Sequence, residues 1–262
     1  MGKITLITSG KGGVGKSTLS ASLAVCLAEQ GQKTVLVDCD VGLRCADLML
    51  DMQDRVMLDM QDVLSGEATL ENTLLRHHEL QDLYLLPAPQ MISAGDIAKK
   101  DMRKLFQALR RDFDQILIDC PAGIGRSMKN TLGHADETIV VCTPDDVSLR
   151  DAEQVQRLLS EQNEAHPFVV FNKVDIGLVK RGIVPPMEAL AQQLDMPLLG
   201  IIPLSAEVIR CVYLHIPAVR CEDRDVTEEL RNIAGRLEGQ EIPFRQYKKS
   251  LFYRLFGGGD WT

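Results

Sequence analysis

The chain has 262 residues, 45% of them hydrophobic and 25% charged, ordinary values for a folded globular protein with a sizeable core. Its net charge of −8 argues against a surface given over to nucleic acid, so no specific nucleic-acid partner is expected. No stretch approaches the ~18 consecutive apolar residues of a membrane-spanning helix, and the first strand-like run is too short for a signal peptide, so a cytoplasmic protein is expected.

In chain order, short apolar runs at Ile4–Thr8, Thr34–Asp38, Leu83–Pro87, Gln115–Asp119, Thr138–Thr143, Phe168–Asn172 and Leu198–Pro203 read as strands. Helical patterns fall between and after them, at Ser17–Gln30, Ala94–Arg111, Ser148–Glu164, Pro186–Leu194 and Val226–Glu238. Several strands are nearly continuous Val, Ile and Leu, as expected where both faces of a parallel sheet are covered. This alternation predicts an α/β fold, a doubly wound, mostly parallel sheet flanked by helices, over residues 1–240. The seven cysteines form an odd set without a C-x-x-C pair and are expected to be reduced core thiols. His77 and His78 sit in a polar stretch and are expected to be solvated.

The first strand runs into Gly10-Lys11-Gly12-Gly13-Val14-Gly15-Lys16-Ser17-Thr18, which opens the first helix. This is a phosphate-binding loop in its required strand–loop–helix setting. Glycines let successive backbone N–H groups turn inward toward phosphate oxygens, and the helix N-terminus adds partial positive charge. Lys16 is expected to reach the β- and γ-phosphates, and the Ser17 hydroxyl to complete the coordination of Mg²⁺. Asp119 ends an apolar strand as a metal-supporting aspartate does, and Asp38 and Asp40 end the second strand at the same carboxyl edge.

The second lysine suffices for phosphate, yet here Lys11 opens the motif as well. In this K-G-G-V-G-K-S-T pattern the loop resembles the deviant Walker A of the MinD/ParA family of P-loop ATPases. Val37-Asp38-Cys39-Asp40-Val41-Gly42-Leu43-Arg44 resembles that family's first switch, and Asp119-Cys120-Pro121-Ala122-Gly123-Ile124 its second. Ser148-Leu149-Arg150-Asp151-Ala152 resembles a partner-facing helix. The likeness extends over essentially the whole chain.

The resemblance implies an ATP hydrolase that uses ATP and Mg²⁺ and is slow without an activating partner. Lys11 would cross the interface of an ATP-dependent homodimer to the other subunit's phosphates, and Asp40 would orient the attacking water. Asp38 and Asp119 would support the metal, Asn172 would hydrogen-bond adenine, and Asp151 would face a regulator. The implied partners are anionic membrane lipids, a MinC-like septum inhibitor and a MinE-like or other activator. ParA-like DNA partition, FlhG-like flagellar placement and a non-hydrolysing membrane scaffold are the alternatives. Two positions depart from the division-site pattern: Cys45 stands where Asn is usual, and Gly125-Arg126 replaces an acidic residue. Asn172-Lys173-Val174-Asp175 also matches the N-K-x-D pattern that reads guanine, which leaves GTP as an alternative nucleotide.

Residues 241–262 differ in composition from the rest. From Phe244 to Phe256 there are four basic residues (Arg245, Lys248, Lys249, Arg254) and no acidic one. Wound as a helix, Phe244, Tyr247, Leu251, Phe252, Leu255 and Phe256 share one half, with Lys249 and Arg254 flanking it. Lys248 falls inside the apolar arc. This predicts a C-terminal amphipathic helix that lies on a membrane surface, similar to the targeting tail of the same family. Inserting Leu251, Phe252, Leu255 and Phe256 gains roughly 6–12 kcal/mol. The four cations add up to about 4 kcal/mol on anionic lipid. Ordering a dozen residues opposes this by on the order of 1 kcal/mol each. One tail is therefore a weak anchor, and two tails on a dimer bind far more tightly. The protein is expected to be peripheral on the inner membrane face.

Overall fold

The computed structural model describes residues 1–41, 44–89, 99–125, 128, 131–161, 167–245 and 247. The expected tail residues Lys248, Lys249, Leu251, Phe252, Arg254, Leu255 and Phe256 lie outside the described residues, as do Gly42, Leu43 and Arg126. Eight strands form one sheet in the order β3-β4-β2-β5-β1-β6-β7-β8. They are β1 (Lys3–Thr8), β2 (Thr34–Asp38), β3 (Leu75–Arg76), β4 (Leu83–Leu86), β5 (Gln115–Asp119), β6 (Glu137–Cys142), β7 (Pro167–Val174) and β8 (Leu198–Pro203). All pairs are parallel except β3–β4. The α/β, doubly wound reading of the sequence therefore holds.

The helices that bear on the site are α1 (Lys16–Glu29), α2 (Ala46–Met49), α3 (Met60–Ser65), α4 (Leu70–Thr73), α5 (Lys99–Asp112), α6 (Asp146–Glu161), α7 (Ile176–Arg181), α8 (Met187–Gln193), α9 (Ala206–Tyr213) and α10 (Arg224–Leu237). Alternation along each strand sends its side chains into two apolar layers. Ile4, Leu6, Val35, Val37, Ile116 and Ile118 meet Leu105, Phe106 and Leu109 of α5 on one face. Ile7, Leu36 and Leu117 meet Leu23 and Leu27 of α1 and Ile233 of α10 on the other. Cys39, Cys120 and Cys142 are buried in the first layer, as the sequence suggests, and all seven cysteines are free thiols.

β1 lies between β5 and β6, so the chain reverses direction across the sheet at β1, where the phosphate loop leaves. Such a switch point opens a crevice at the carboxyl edge, and register brings its acids there. Asp38 pairs with Asp119 across β2 and β5, and Ile7 with Asp119 across β1 and β5.

Two expectations change. His77 is buried, not solvated: its Nδ1 accepts from the N–H of Glu79 and of Leu80, both at 3.1 Å. Burial, with His78 and Arg220 nearby, pushes its pKa down to about 4. Phe244 and Tyr247 are not on a helix. The Phe244 ring lies over the Arg236 guanidinium at 4.2 Å, and Tyr247 packs among Val174, Val179, Met187 and Ile201. Arg236 also donates to the carbonyls of Ile242 (3.0 Å) and Pro243 (3.2 Å), while Arg245 pairs with Asp225 at 2.6 Å. The root of the tail is thus fixed to the end of α10. No helix among the described residues is long and apolar enough to cross a membrane.

α10 seats on β8 through Gly200, where an added Cβ would strike the Ile233 side chain. Gly200→Ala is expected to destabilise the protein by about 1–3 kcal/mol, as overpacking does. Pairing it with Ile233→Val should recover part of the loss in chemical denaturation.

Candidate nucleotide site

Gly13 (φ 79°) and Gly15 (φ 93°) take left-handed conformations that side chains disfavour, which explains glycine at both places. Gly10 has a different reason: an added Cβ would lie 2.5–2.6 Å from the Asp151 backbone and Cβ. Asp151, expected on a partner-facing helix, is half buried with that contact beneath the start of the loop.

Lys16 is buried, and its Nζ donates to Asp119 Oδ1 at 2.9 Å and lies 3.9 Å from Asp40 and 3.4 Å from the Ser17 hydroxyl. Burial alone would lower its pKa, but the charge and hydrogen bond of Asp119, with Asp40 behind, more than offset that and raise it. Asp119 Oδ1 also accepts from Ser20 Oγ at 3.1 Å, whereas its Oδ2 is buried with no partner among the described residues. An unpartnered, buried carboxylate oxygen beside the phosphate loop is suited to a water of a hydrated Mg²⁺. The Ser17 hydroxyl lies on the same side of Lys16, so Ser17 and Asp119 are the residues that could hold the metal.

Asp38 serves differently. Both carboxylate oxygens accept backbone N–H groups, Oδ1 from Asp40 at 2.9 Å and Oδ2 from Ala46 at 3.0 Å. It therefore ties the backbone at Asp40 and at the start of α2 to the edge of the sheet. Burial, with the Asp119 charge beside it, pushes its pKa up to about 7. Asp40 is half buried and its pKa is raised by burial, against the pull of Lys16.

Asn172 and Lys173 close the loop from β7. Asn172 Nδ2 donates to the Val14 carbonyl at 2.8 Å, and Lys173 Nζ to the Gly13 carbonyl at 2.7 Å. Lys173 is itself at φ 56°, a strained value for a residue with a side chain. Sequence reasoning missed Lys173, Ser20 and the capping role of Asp38. The N-K-x-D motif held the signal for Lys173; nothing in the sequence singles out Ser20. Asp175, which would read guanine, accepts from the Leu178 N–H at 3.0 Å and caps α7. It is absent from the lining of the site.

A cavity of about 650 Å³ runs from the loop, past Asp40, Cys45 and Asn172, into an apolar end lined by Pro203, Val208 and Ile209. Phosphate donors at one end and apolar walls at the other suit a nucleotide.

Comparison with known proteins agrees. Residues 1–238 match the family described as ParA, NUBPL iron-transfer P-loop NTPase. The septum site-determining protein MinD of Bacillus subtilis (strain 168) is 37% identical over 247 residues, which cover 94% of this chain and 92% of that protein. This chain belongs to the MinD/ParA family of P-loop ATPases. Of solved structures, a chain of the MinC:MinD cell division protein complex of Aquifex aeolicus is similar at TM-score 0.84 and 32% identity, over 94% of this chain and 100% of that one. MinD of Pyrococcus horikoshii OT3, complexed with Mg-ADP, is similar at TM-score 0.80 and 28% identity, over 92% and 100%. The chain is accordingly a MinD-like division-site ATPase that hydrolyses ATP with Mg²⁺.

Two predictions test this site without nucleotide. Lys16→Met leaves Asp119 buried and unpaired, so it should lower stability by about 3–5 kcal/mol in chemical denaturation. Adding Asp119→Asn should restore much of it. Asp38 binds its proton near pH 7 when folded and near 4 when unfolded. Its contribution to stability is therefore present at low pH and lost as pH rises from about 4 to 7. Thermal midpoints across that range should fall less with rising pH in Asp38→Asn than in the parent.

Proposed function

We propose that the chain acts as an ATP-dependent homodimer on the inner face of the cell membrane. There it recruits a MinC-like septum inhibitor and leaves on hydrolysis, which a MinE-like or other activator stimulates. One observation carries this reading: the two lysines of the loop are placed for different tasks. Lys16 is buried on Asp119, whereas Lys11 is exposed at the other end of the loop and makes no ion pair among the described residues. A cation with no ion pair among the described residues, and only the charge of Asp145 acting on it, is available to phosphates held by a second copy.

Within each subunit, Lys16 and the loop N–H groups bind the phosphates, and Ser17 holds the metal with Asp119 behind it. Bound Mg²⁺ would neutralise charge on the β- and γ-phosphate oxygens. Asp40 would orient the attacking water, a role supported by its position at the cavity wall, 3.9 Å from Lys16. Asn172 lines the same cavity as the apolar Pro203 and Val208, which supports an adenine contact, and the capping role of Asp175 favours adenine over guanine.

The tail binds anionic lipid through Leu251, Phe252, Leu255 and Phe256 with Lys248, Lys249 and Arg254. Because one tail is weak, the dimer supplies the switch. The MinC:MinD complex of the Aquifex relative supports a MinC-like partner, and Asp151 with its helix would be part of the docking face.

Co-sedimentation with anionic vesicles tests the reading. The intact chain should pellet with ATP and Mg²⁺ but at least tenfold less with ADP or GTP, while a chain ending at residue 243 should stay in solution throughout. Lys11→Ala should keep ADP affinity and lose the ATP-dependent pelleting. Equal binding with ADP and ATP, or binding by the shortened chain, would refute it.

A further inference from the structure

We propose that the outer face of α5 is a second contact for anionic lipid headgroups, on the side of the sheet against which Tyr247 packs. The inference rests on the membrane reading above and adds a surface to it.

The helix Lys99–Asp112 holds six basic and two acidic residues in a chain of net charge −8. Its inner face is fixed by burial: Met102, Leu105, Phe106 and Leu109 are nearly inaccessible. At 100° per residue the opposite face carries Lys100, Arg103, Lys104, Gln107 and Arg111 within one narrow arc, and all five are exposed. From Lys100 to Arg111 this stripe is about 16 Å long.

Helix stability accounts for Arg111, a cation in the last turn beside the negative end of the helix dipole, but not for the cations of the first turns. Lys100 with Arg103 and Lys104, at spacings of three and four, are like charges that repel along a helix surface. Asp101 offsets only Lys104, at 3.6 Å. Lys100, Arg103 and Arg111 have no ion pair among the described residues, while Arg110, off the stripe, is spent on Asp136 and the carbonyls of Gly2 and His134. Three uncompensated cations in a row on an acidic protein call for an anionic partner.

The fold favours a membrane as that partner. α5 and Tyr247, the last described residue before the tail, pack on the same apolar layer. Lipid engaged on that side of the sheet would therefore lie near the stripe. The stripe offers no aromatic side chain on which the bases of a single strand could stack.

The test uses the full chain with ATP and Mg²⁺ on vesicles of zwitterionic lipid containing 0–40% anionic phospholipid. The neutralised variant is Lys100→Gln, Arg103→Gln, Arg111→Gln; the charge-retaining control is Lys100→Arg, Arg103→Lys, Arg111→Lys. Each basic residue near an anionic bilayer is worth about fivefold in partitioning, so the neutralised variant should bind roughly a hundredfold less tightly. Its binding should also depend less on salt, because fewer charges are screened. ATP turnover in solution and the melting temperature should stay those of the parent, and the control should bind like the parent. Parent-like vesicle binding by the neutralised variant would overturn the lipid contact while leaving the tail reading intact. So would parent-like vesicle binding accompanied by loss of duplex-DNA binding, which would assign the stripe to nucleic acid. If the parent itself fails to bind any vesicle, the membrane reading falls and this contact falls with it.

Discussion

The pairing of Lys16 with Asp119 is the constraint around which the site is built. Taking an ammonium and a carboxylate out of water is unfavourable unless geometry and further hydrogen bonds compensate. Here the compensation comes from the fold: the loop after β1 delivers the lysine, β5 delivers the aspartate, and Ser20 on the first turns of α1 gives Asp119 Oδ1 a second donor. That arrangement requires β1 and β5 to be neighbours, which the sheet order provides. It also means an arriving phosphate meets a lysine already held at the edge of the sheet, and that the same carboxylate keeps one oxygen in reserve.

Around this pair, the other acids are separated by their surroundings and not by their residue type. Asp38 has both oxygens committed to backbone N–H groups and braces Asp40 and the start of α2. Asp40, two residues on, is half buried and lines the cavity. Asn172 and Lys173 hold the loop from the opposite side by taking two of its carbonyls, which leaves N–H groups for phosphate.

Much of this was legible from residue patterns. The seven long strands announce themselves because strands covered on both faces must be apolar almost throughout. The loop is legible because phosphate binding needs glycine, lysine and a hydroxyl at fixed spacing. β3 was invisible: two residues paired antiparallel at the edge leave no periodic signal. Short helices such as α2 and α7 depend on caps supplied by Asp38 and Asp175, one of them distant in the motif reading, and their four to six residues carry too few turns to show a face. His77 was misread because its burial comes from the turn that folds over it. Phe244 and Tyr247 were misread because helical spacing cannot reveal that Arg236 and the end of β7 capture the chain first.

The seat of Tyr247 also fixes an origin. The chain is held there among Val174, Val179, Met187 and Ile201, so whatever follows departs from one defined point on the ATPase. The orientation in which the domain is presented is then governed by where that point lies, much as the cleat to which a mooring line is made fast decides which side of a hull meets the quay.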